Sequence, residues 1–200
     1  MFSGIIETMG QVLTIEDEGT NRHFTIQSSV SHEAYIDQSI AHNGVCLTVT
    51  HQHGDTHRVT AIQETLDKTN LRQLRPGDFI NIERAVQANS RMDGHFVQGH
   101  VDTVARCTSI DSLQGSWYFY FETDKRWDTL MVPKGSICIN GVSLTLVDAL
   151  DGRFSVAIIP YTYDHTNFSK LAENQLVNIE FDILGKYVIQ YLEKLQATKT

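Results

Sequence analysis

The 200-residue chain is short of positive charge: 16 Lys and Arg stand against 24 Asp and Glu, a formal net charge of −8. Nucleic-acid partners select clustered basic side chains, so this balance argues against a DNA or RNA footprint. Long apolar runs are missing too, and the opening Met1-Phe-Ser-Gly-Ile-Ile-Glu7 has no basic stretch ahead of an apolar one. We therefore expect neither a secretory leader nor a membrane span. Cysteine is scarce. Cys46, Cys107 and Cys138 cannot pair completely, and their spacing matches no disulfide or zinc framework. A reducing cytoplasm is the simplest expectation, and without a secretory route the Asn167-Phe-Ser169 sequon carries no weight. There is also no Gly-rich phosphate loop, no dinucleotide fingerprint and no Gly-x-Ser-x-Gly elbow.

What the chain does contain, it contains twice. Ser39-Ile-Ala-His-Asn-Gly-Val-Cys-Leu-Thr-Val-Thr50 returns 97 positions later as Ser136-Ile-Cys-Ile-Asn-Gly-Val-Ser-Leu-Thr-Leu-Val147. The informative difference is Cys46 against Ser143. Gly4-Ile-Ile-Glu-Thr8 is echoed by Gly99-His-Val-Asp-Thr103 at a spacing of 95, and Asn81-Ile-Glu83 by Asn178-Ile-Glu180 at 97. A solenoid needs more and shorter repeats, so this is a tandem duplication of a whole domain. The spacing predicts one domain over residues 1–97, a second over 98–184 and a helical tail over 185–200, with the joint near Asp93-Gly94.

Within each repeat, short runs rich in Val, Ile, Thr and aromatics alternate between turn residues. Gly4 to Thr8, Gln11 to Ile15 and His23 to Gln27 read as half-buried strands. Ser39 to Thr50 reads as a hairpin broken at Asn43-Gly44, where a positive φ is cheap. His51 to His57 reads as a polar turn, Arg58 to Gln63 as a returning strand, and Pro76-Gly-Asp78 as a turn before Phe79 to Arg84. Strands at this spacing without intervening helices predict an all-β fold of two small antiparallel barrels or sandwiches. After Asp182, residues Leu184, Tyr187, Val188, Tyr191, Leu192 and Leu195 share one helical face. That stripe needs a partner, either its own barrel or copies of itself in an oligomer.

Chemistry concentrates on few side chains. Cys46 follows an Asn-Gly break and is replaced by a hydroxyl in the copy, as in two related pockets with divided roles. A strand cysteine on its own is more often a small inert hydrophobe. His95 and His100 lie five residues apart, on opposite faces of a regular strand, and so are not expected to share a metal. His100 matches Ile5 of the first repeat, so the duplication does not require it, which makes it the better proton-transfer candidate. His51, His53 and His57 lack companion ligands at fixed spacing, and no metal is expected. The paired Thr48 and Thr145, and Thr65 and Thr162, suit the edges of a flat heterocycle, although strand threonines usually serve β-propensity alone.

Met1 to Glu7, Asn43-Gly-Val-Cys-Leu-Thr-Val-Thr50, Gly94-His-Phe-Val-Gln-Gly-His-Val-Asp102 and Gly135 to Thr145 together closely resemble the riboflavin synthase family of the alpha-chain type, over essentially the whole chain. The resemblance implies two six-stranded Greek-key β-barrels and a C-terminal helix that assembles a homotrimer. It implies dismutation of two 6,7-dimethyl-8-ribityllumazine molecules, one giving a four-carbon unit to the other, to riboflavin and 5-amino-6-(D-ribitylamino)uracil. No cofactor is implied, and a lumazine synthase shell is a candidate partner. Each active site would lie between the N-terminal barrel of one subunit and the C-terminal barrel of its neighbour.

On the family pattern, the first pocket draws on Cys46, Leu47, Thr48, Thr60, Ala61, Ile62, Gln63, Glu64, Thr65, Gly99, His100 and Val101. The second draws on Gly4, Ile5, Ile6, Ser143, Leu144, Thr145, Ala157, Ile158, Ile159, Pro160, Tyr161 and Thr162, with Lys134 reaching in from a neighbour. His100 would move a proton, Ser39 would assist by hydrogen bonding, and Cys46 would steer nucleophilic addition at C7 of the lumazine. The chain departs from the family at Asn140, where an Asp is common. An amide is no base, so any carboxylate role there passes elsewhere, with Asp182 as the candidate. A non-catalytic lumazine or flavin carrier, expected to lose Cys46 and His100 or degrade one pocket, is the alternative. A flavin reductase would need a nucleotide domain after the barrel.

Overall fold

Each repeat winds into a closed six-stranded antiparallel barrel in the structure, a computed structural model that describes residues 1–198. The first barrel comprises β1 (Thr8–Glu18), β2 (Asn21–Gln27), β3 (Ser39–His42), β4 (Val45–His53), β5 (Thr56–Ala61) and β6 (Phe79–Arg84). They close in the order β1-β2-β5-β4-β3-β6, so the β2-to-β3 connection crosses two strands as a Greek key does. A one-turn helix α1 (Gln63–Lys68) precedes β6. The second barrel repeats this with β7 (Thr103–Leu113), β8 (Ser116–Glu122), β9 (Ser136–Ile139), β10 (Val142–Leu150), β11 (Arg153–Ile158), α2 (Pro160–His165) and β12 (Leu176–Phe181). Helix α3 (Ile183–Ala197) follows, and Asp182 caps it by accepting the Leu184 N–H at 3.0 Å. The final two residues of the expected tail lie outside the described residues.

Alternation sets the inward faces. Val45, Leu47 and Val49 of β4 point into the core, while Cys46 and Thr48 point out. Val12, Ile26, Val49, Val59, Ile80 and Ile82 are at most 1 % exposed. Each such side chain stabilises the fold by roughly 1.5–3 kcal/mol. Bulges recur at matching places, between Val12 and Thr14 and between Cys107 and Ser109, and again at Val49/His51 and Leu146/Asp148. They supply the bend that a closed barrel of short strands needs. Asn43-Gly44 and Asn140-Gly141 each turn with two positive φ angles, 48° and 77° in one and 47° and 84° in the other. This is the hairpin chemistry the dipeptides predict.

The two interiors differ. Phe119, Phe121, Phe154, Phe168 and Phe181 fill the second. The first has Phe24 among aliphatics and a buried polar chain. Ser28 Oγ meets Ser31 Oγ (2.7 Å), Ser31 Oγ meets His57 Nδ1 (2.7 Å), and His57 Nε2 meets His42 Nε2 (2.8 Å). His42 Nδ1 then reaches the Ile40 carbonyl at 3.0 Å. With neutral rings only one proton arrangement satisfies all four contacts, each donor pointing toward Ile40.

The barrels meet across a pseudo-twofold axis of asparagines. Asn43 Oδ1 accepts from the Asn81 N–H (2.8 Å) and Asn167 Nδ2 (2.9 Å), as Asn140 Oδ1 accepts from the Asn178 N–H (2.8 Å) and Asn70 Nδ2 (3.1 Å). Asn81 Nδ2 donates to the Asn140 carbonyl and Asn178 Nδ2 to that of Asn43, both at 2.9 Å. Gly44 and Gly141 touch at the axis. A Cβ on either would lie within 2.8 Å of the other's backbone nitrogen.

Several expectations need correction. Gly4 to Thr8 and Gly99 to Thr103 are not strands: β1 and β7 begin only at Thr8 and Thr103, and the residues before them form irregular arms. Positive φ at Gly4 (78°) and Gly99 (80°) turns their amides out of any ladder. For the same reason His95 and His100 share no strand. The polar turn shrinks to Gly54-Asp55, because Gly54 takes the positive φ (59°), and His57 faces inward on β5 rather than outward on a loop. Gln63 opens α1 instead of ending a strand, so helices do intervene. The apolar stripe of α3 does not dock on its own barrel: Leu184, Tyr187, Val188, Tyr191 and Leu192 are each more than half exposed.

Candidate functional site

The two arms cross. Residues 1–7 precede the first barrel yet lie on the second, where the Ser143 N–H donates to the Gly4 carbonyl at 2.7 Å. Ile6 packs against the second barrel's core. The arm through Gly99 precedes the second barrel yet lies on the first: the Cys46 N–H donates to the Gly99 carbonyl at 2.9 Å, and Val101 packs against the first core. Between the barrels the arms pair with each other, Phe2 with Val97. Glycine is required at both crossings. A Cβ on Gly99 would sit 2.5 Å from Cys46 Cβ, and one on Gly4 2.6 Å from Ser143 Cβ.

Under the second arm lies a cavity of about 260 Å³ lined by Val45, Cys46, Glu64, Thr65, Lys68, Thr69, Gly99, His100 and Val101. Strand β4 supplies Cys46, half-buried and facing out; α1 supplies Glu64 and Thr65; the arm supplies His100. Glu64 pairs with Lys68 across one helical turn at 2.8 Å, and that bond holds the Glu64 carboxyl below its usual range. A thiol, an imidazole, a carboxylate and a threonine hydroxyl thus surround one concavity, groups suited to proton transfer and to hydrogen bonding a flat polar ring. A larger cleft of about 360 Å³ between the barrels is lined by four of the interface asparagines together with residues such as Leu74, Phe79, Lys170 and Leu176. It holds neither a thiol nor an imidazole.

The matching surface at Ser143 is not a copy. The joint Gly94-His95 folds over it, and His95 Nδ1 meets Ser143 Oγ at 2.7 Å. Burial lowers the pKa of His95, opposed by the charge of Asp182. Tyr161 stands 69 % exposed on α2, stacked on His165 with ring centroids 4.1 Å apart, and Thr162 follows it. Ile5 and Ile159 are also largely exposed, so this side offers an open apolar rim.

The other expected residues divide. Ser39 lies opposite Thr48, two residues along from Cys46 on the same outer face, and both stay outside the cavity lining. Leu47, Ala61 and Ile158 point into the barrel interiors, leaving only their backbones for a ligand. Thr60 bonds His23 at 2.8 Å, and Gln63 turns to Asp67 at 2.8 Å. Ile62 and Pro160, at the starts of the two helices, Ala157 and Thr145 are exposed, while Leu144 packs on the second core. Lys134 is exposed, with φ 67°, in the loop before β9. Asn140 has an acceptor's role in the interface network and takes the positive φ its turn requires, and Asp182 caps α3. Among the described residues, no group of three or more His, Cys, Asp or Glu could hold a metal ion.

Sequence reasoning missed Glu83 and Glu180, each 3 % exposed. Glu83 accepts from the Ser3 N–H (2.7 Å), Ser3 Oγ (2.8 Å) and the Gly4 N–H (3.0 Å). Glu180 accepts from the N–H groups of Gln98 (2.7 Å), Gly99 (2.9 Å) and His100 (2.9 Å). The repeated Asn-Ile-Glu carried the signal: both carboxylates fall at the same position of a buried terminal strand.

A family model described as "Lumazine binding domain" matches residues 3–85 and again residues 98–182. The riboflavin synthase of Bacillus subtilis is 38% identical over 201 residues, covering 100% of this chain and 94% of its own. That of Saccharomyces cerevisiae is 39% identical, covering 94% and 84%, and that of Escherichia coli 31%, covering 100% and 95%. Crystal structures of LumP complexed with riboflavin and with 6,7-dimethyl-8-(1'-D-ribityl) lumazine match 90% of the chain, with TM-scores of 0.85 and 0.82. At 22% identity that likeness shows the fold alone.

Proposed function

The chain belongs to the lumazine binding domain family, and from that premise we propose that it is an enzyme, a riboflavin synthase. It joins two molecules of 6,7-dimethyl-8-ribityllumazine, moving a four-carbon unit from one to the other, and releases riboflavin and 5-amino-6-(D-ribitylamino)uracil. The observation that carries this reading is identity of 31% to 39% to riboflavin synthases over 94% or more of the chain, in a chain with two related but non-identical repeats. A reaction that joins two copies of one ligand is matched by a fold that offers two copies of one pocket.

In this reading, much of the acceleration comes from holding two flat rings face to face; well-oriented pairs gain roughly 7–11 kcal/mol in effective molarity. The lumazine C7 methyl is acidic enough for a modest base. His100 takes its proton, Cys46 beside it steers addition at C7, and Ser39 and Thr48 hydrogen-bond the ring from the outer face of the sheet. The exposed rim of Ile5, Ile159 and Tyr161 faces the first barrel of a neighbouring subunit, from which the second ring approaches. Lys134 reaches a neighbour's pocket in the same way. The uncovered stripe of α3 assembles three chains, so the final domain acts as a trimerisation element. The enzyme works in the cytoplasm without cofactor and with lumazine synthase as a candidate partner. No helix among the described residues is long and apolar enough to cross a membrane.

The test is direct. Purified protein, 6,7-dimethyl-8-ribityllumazine and a chelator are mixed, and riboflavin absorbance is followed. Riboflavin forming at a rate proportional to protein supports the assignment. Tight binding without riboflavin would turn the reading to a chromophore carrier, and neither would overturn both.

A further inference from the structure

Each arm hangs from a single buried carboxylate, and the connectivity of those contacts carries a consequence for the pockets. We infer that Glu83 and Glu180 are positioning residues that act across the barrels: each belongs to the last strand of one barrel and sets the arm that completes the pocket of the other. The inference rests on the two-pocket reading above and deepens it.

The chain of contacts is short. Glu180 stands on β12 of the second barrel and holds the Gln98, Gly99 and His100 amides at 2.7–2.9 Å. The carbonyl of that same Gly99 accepts from Cys46 in the first barrel. One carboxylate therefore fixes both the close approach to the thiol strand and the backbone that carries His100. Glu83 does the same from β6 of the first barrel: it holds Ser3 and Gly4, and Gly4 accepts from Ser143 in the second.

Only an ionised carboxylate suits the task. A carbonyl or amide offers a single oxygen, whereas each arm presents three donors that converge on two oxygens. Burying such a charge costs several kcal/mol unless it is fully hydrogen-bonded. The cost is visible in both groups, whose carboxyls burial pushes upward while the arm donors pull them back. A packing role alone would be filled more cheaply by an apolar residue of similar size. No slack remains at either crossing, where a single Cβ would collide with Cys46 or Ser143.

The experiment uses Glu180→Gln and Glu83→Gln in the full chain, with riboflavin as the probe ligand and iodoacetamide as the reporter. Cys46 is the half-buried thiol, while Cys107 and Cys138 are buried, so alkylation of the native protein reports on the first pocket. Without ligand, Glu180→Gln should speed Cys46 alkylation at least tenfold, and Glu83→Gln should leave it within twofold. With riboflavin, Glu180→Gln should lose the site that protects Cys46 and keep the other, whereas Glu83→Gln should keep protection and lose one equivalent. If either variant fails to fold, Glu180→Asp or Glu83→Asp, which withdraws the carboxylate by one methylene, carries the same readouts.

Equal effects of the two variants on Cys46, or loss of the pocket in the glutamate's own barrel, would overturn the inference. A wild-type protein that binds no riboflavin would instead sink the functional reading, while the ligand-free alkylation rates still decide the positioning.

Discussion

His42 and His57 face each other through their Nε2 atoms at 2.8 Å, both 1 % exposed, inside a barrel whose apolar core is aliphatic apart from Phe24. Burial lowers both pKa values, that of His57 to about 4, and for His42 the neighbouring His57 adds to the effect. The folded state thus binds fewer protons than the unfolded chain below the usual histidine pKa. Stability should be whole above about pH 6.5 and fall as the pH drops toward 4, by roughly 3 kcal/mol for His57 alone. Glu83 and Glu180, raised by burial, act in the opposite sense, so a comparison is needed. The double variant His42→Ile, His57→Phe, which restores the residues of the second barrel, should lose this slope. Denaturant midpoints between pH 7 and 4 check it; parallel curves for the two proteins would contradict it.

Cys46 and His100 line one cavity, and their removal should strike chemistry more than binding. His100→Gln and Cys46→Ala are each expected to lower kcat by about 10²-fold or more, with riboflavin affinity changed by less than about tenfold (~1.4 kcal/mol). Single-turnover rates alongside fluorescence titrations separate the two effects. Unchanged kcat in both variants would remove these roles.

Asn140 tests the departure from the family pattern. Its side-chain oxygen accepts from Asn178 and Asn70, a task a carboxylate performs equally well. Asn140→Asp should keep the melting temperature within a few degrees and leave turnover intact. Asn140→Ala leaves the buried Asn178 N–H without its acceptor and Asn70 Nδ2 with only the Leu176 carbonyl, and should cost on the order of 1–3 kcal/mol. Calorimetry on both variants decides. A large gain of activity in the Asp variant would mean that a carboxylate at this turn does take part in the reaction.

Gly99→Ala should be far worse than Gly54→Ala, although both glycines have positive φ. At Gly54 a Cβ meets nothing within 4 Å, and only the backbone strain of about 1–2 kcal/mol is added. At Gly99 the arm must lift from Cys46. Turnover should fall at least tenfold with Gly99→Ala and stay near wild type with Gly54→Ala. Equal activities would show that the close crossing is dispensable.

Removal of α3 should leave two folded barrels and no assembly. Five apolar side chains of that helix are more than half exposed, while its first turns touch the 125–130 segment and pair Lys186 with Asp102 at 2.6 Å. Chain termination after Asp182 is expected to convert the proposed trimer to monomers in sedimentation equilibrium and to abolish turnover. A trimer that survives the truncation would place the assembly contacts elsewhere.

The duplication was plain in the residues because Asn-Gly turns and apolar alternation are local properties. Asn43-Gly44 and Asn140-Gly141 announce their own backbone, and run length and spacing predict antiparallel strands, while closed barrels rather than sandwiches came with the resemblance. The arms were misread for the opposite reason. Gly4 to Thr8 alternates like a strand, but the Ser3 and Gly4 amides that lead into it are taken by Glu83, some 80 positions away in the sequence. Likewise His57 lies among polar residues that suggest a loop, and only the pairing of β5 with β2 and β4 shows that it faces inward. Partners remote in sequence leave no periodic trace. The pocket residues emerged through resemblance, and the structure brings Cys46, Glu64, Thr65 and His100 together while keeping Ser39 and Lys134 apart from that cavity.

The exchanged arms also bear on how such a chain could arise. A solitary barrel of this kind holds its own arm away from its own pocket, so two solitary copies would each be completed by the other, as in a domain-swapped pair. Fusion of the copies turns that mutual loan into an internal one. Once joined, the two sites are no longer bound by symmetry to be alike: one carries a thiol at position 46, while the other carries a hydroxyl at 143 covered by an imidazole from the joint.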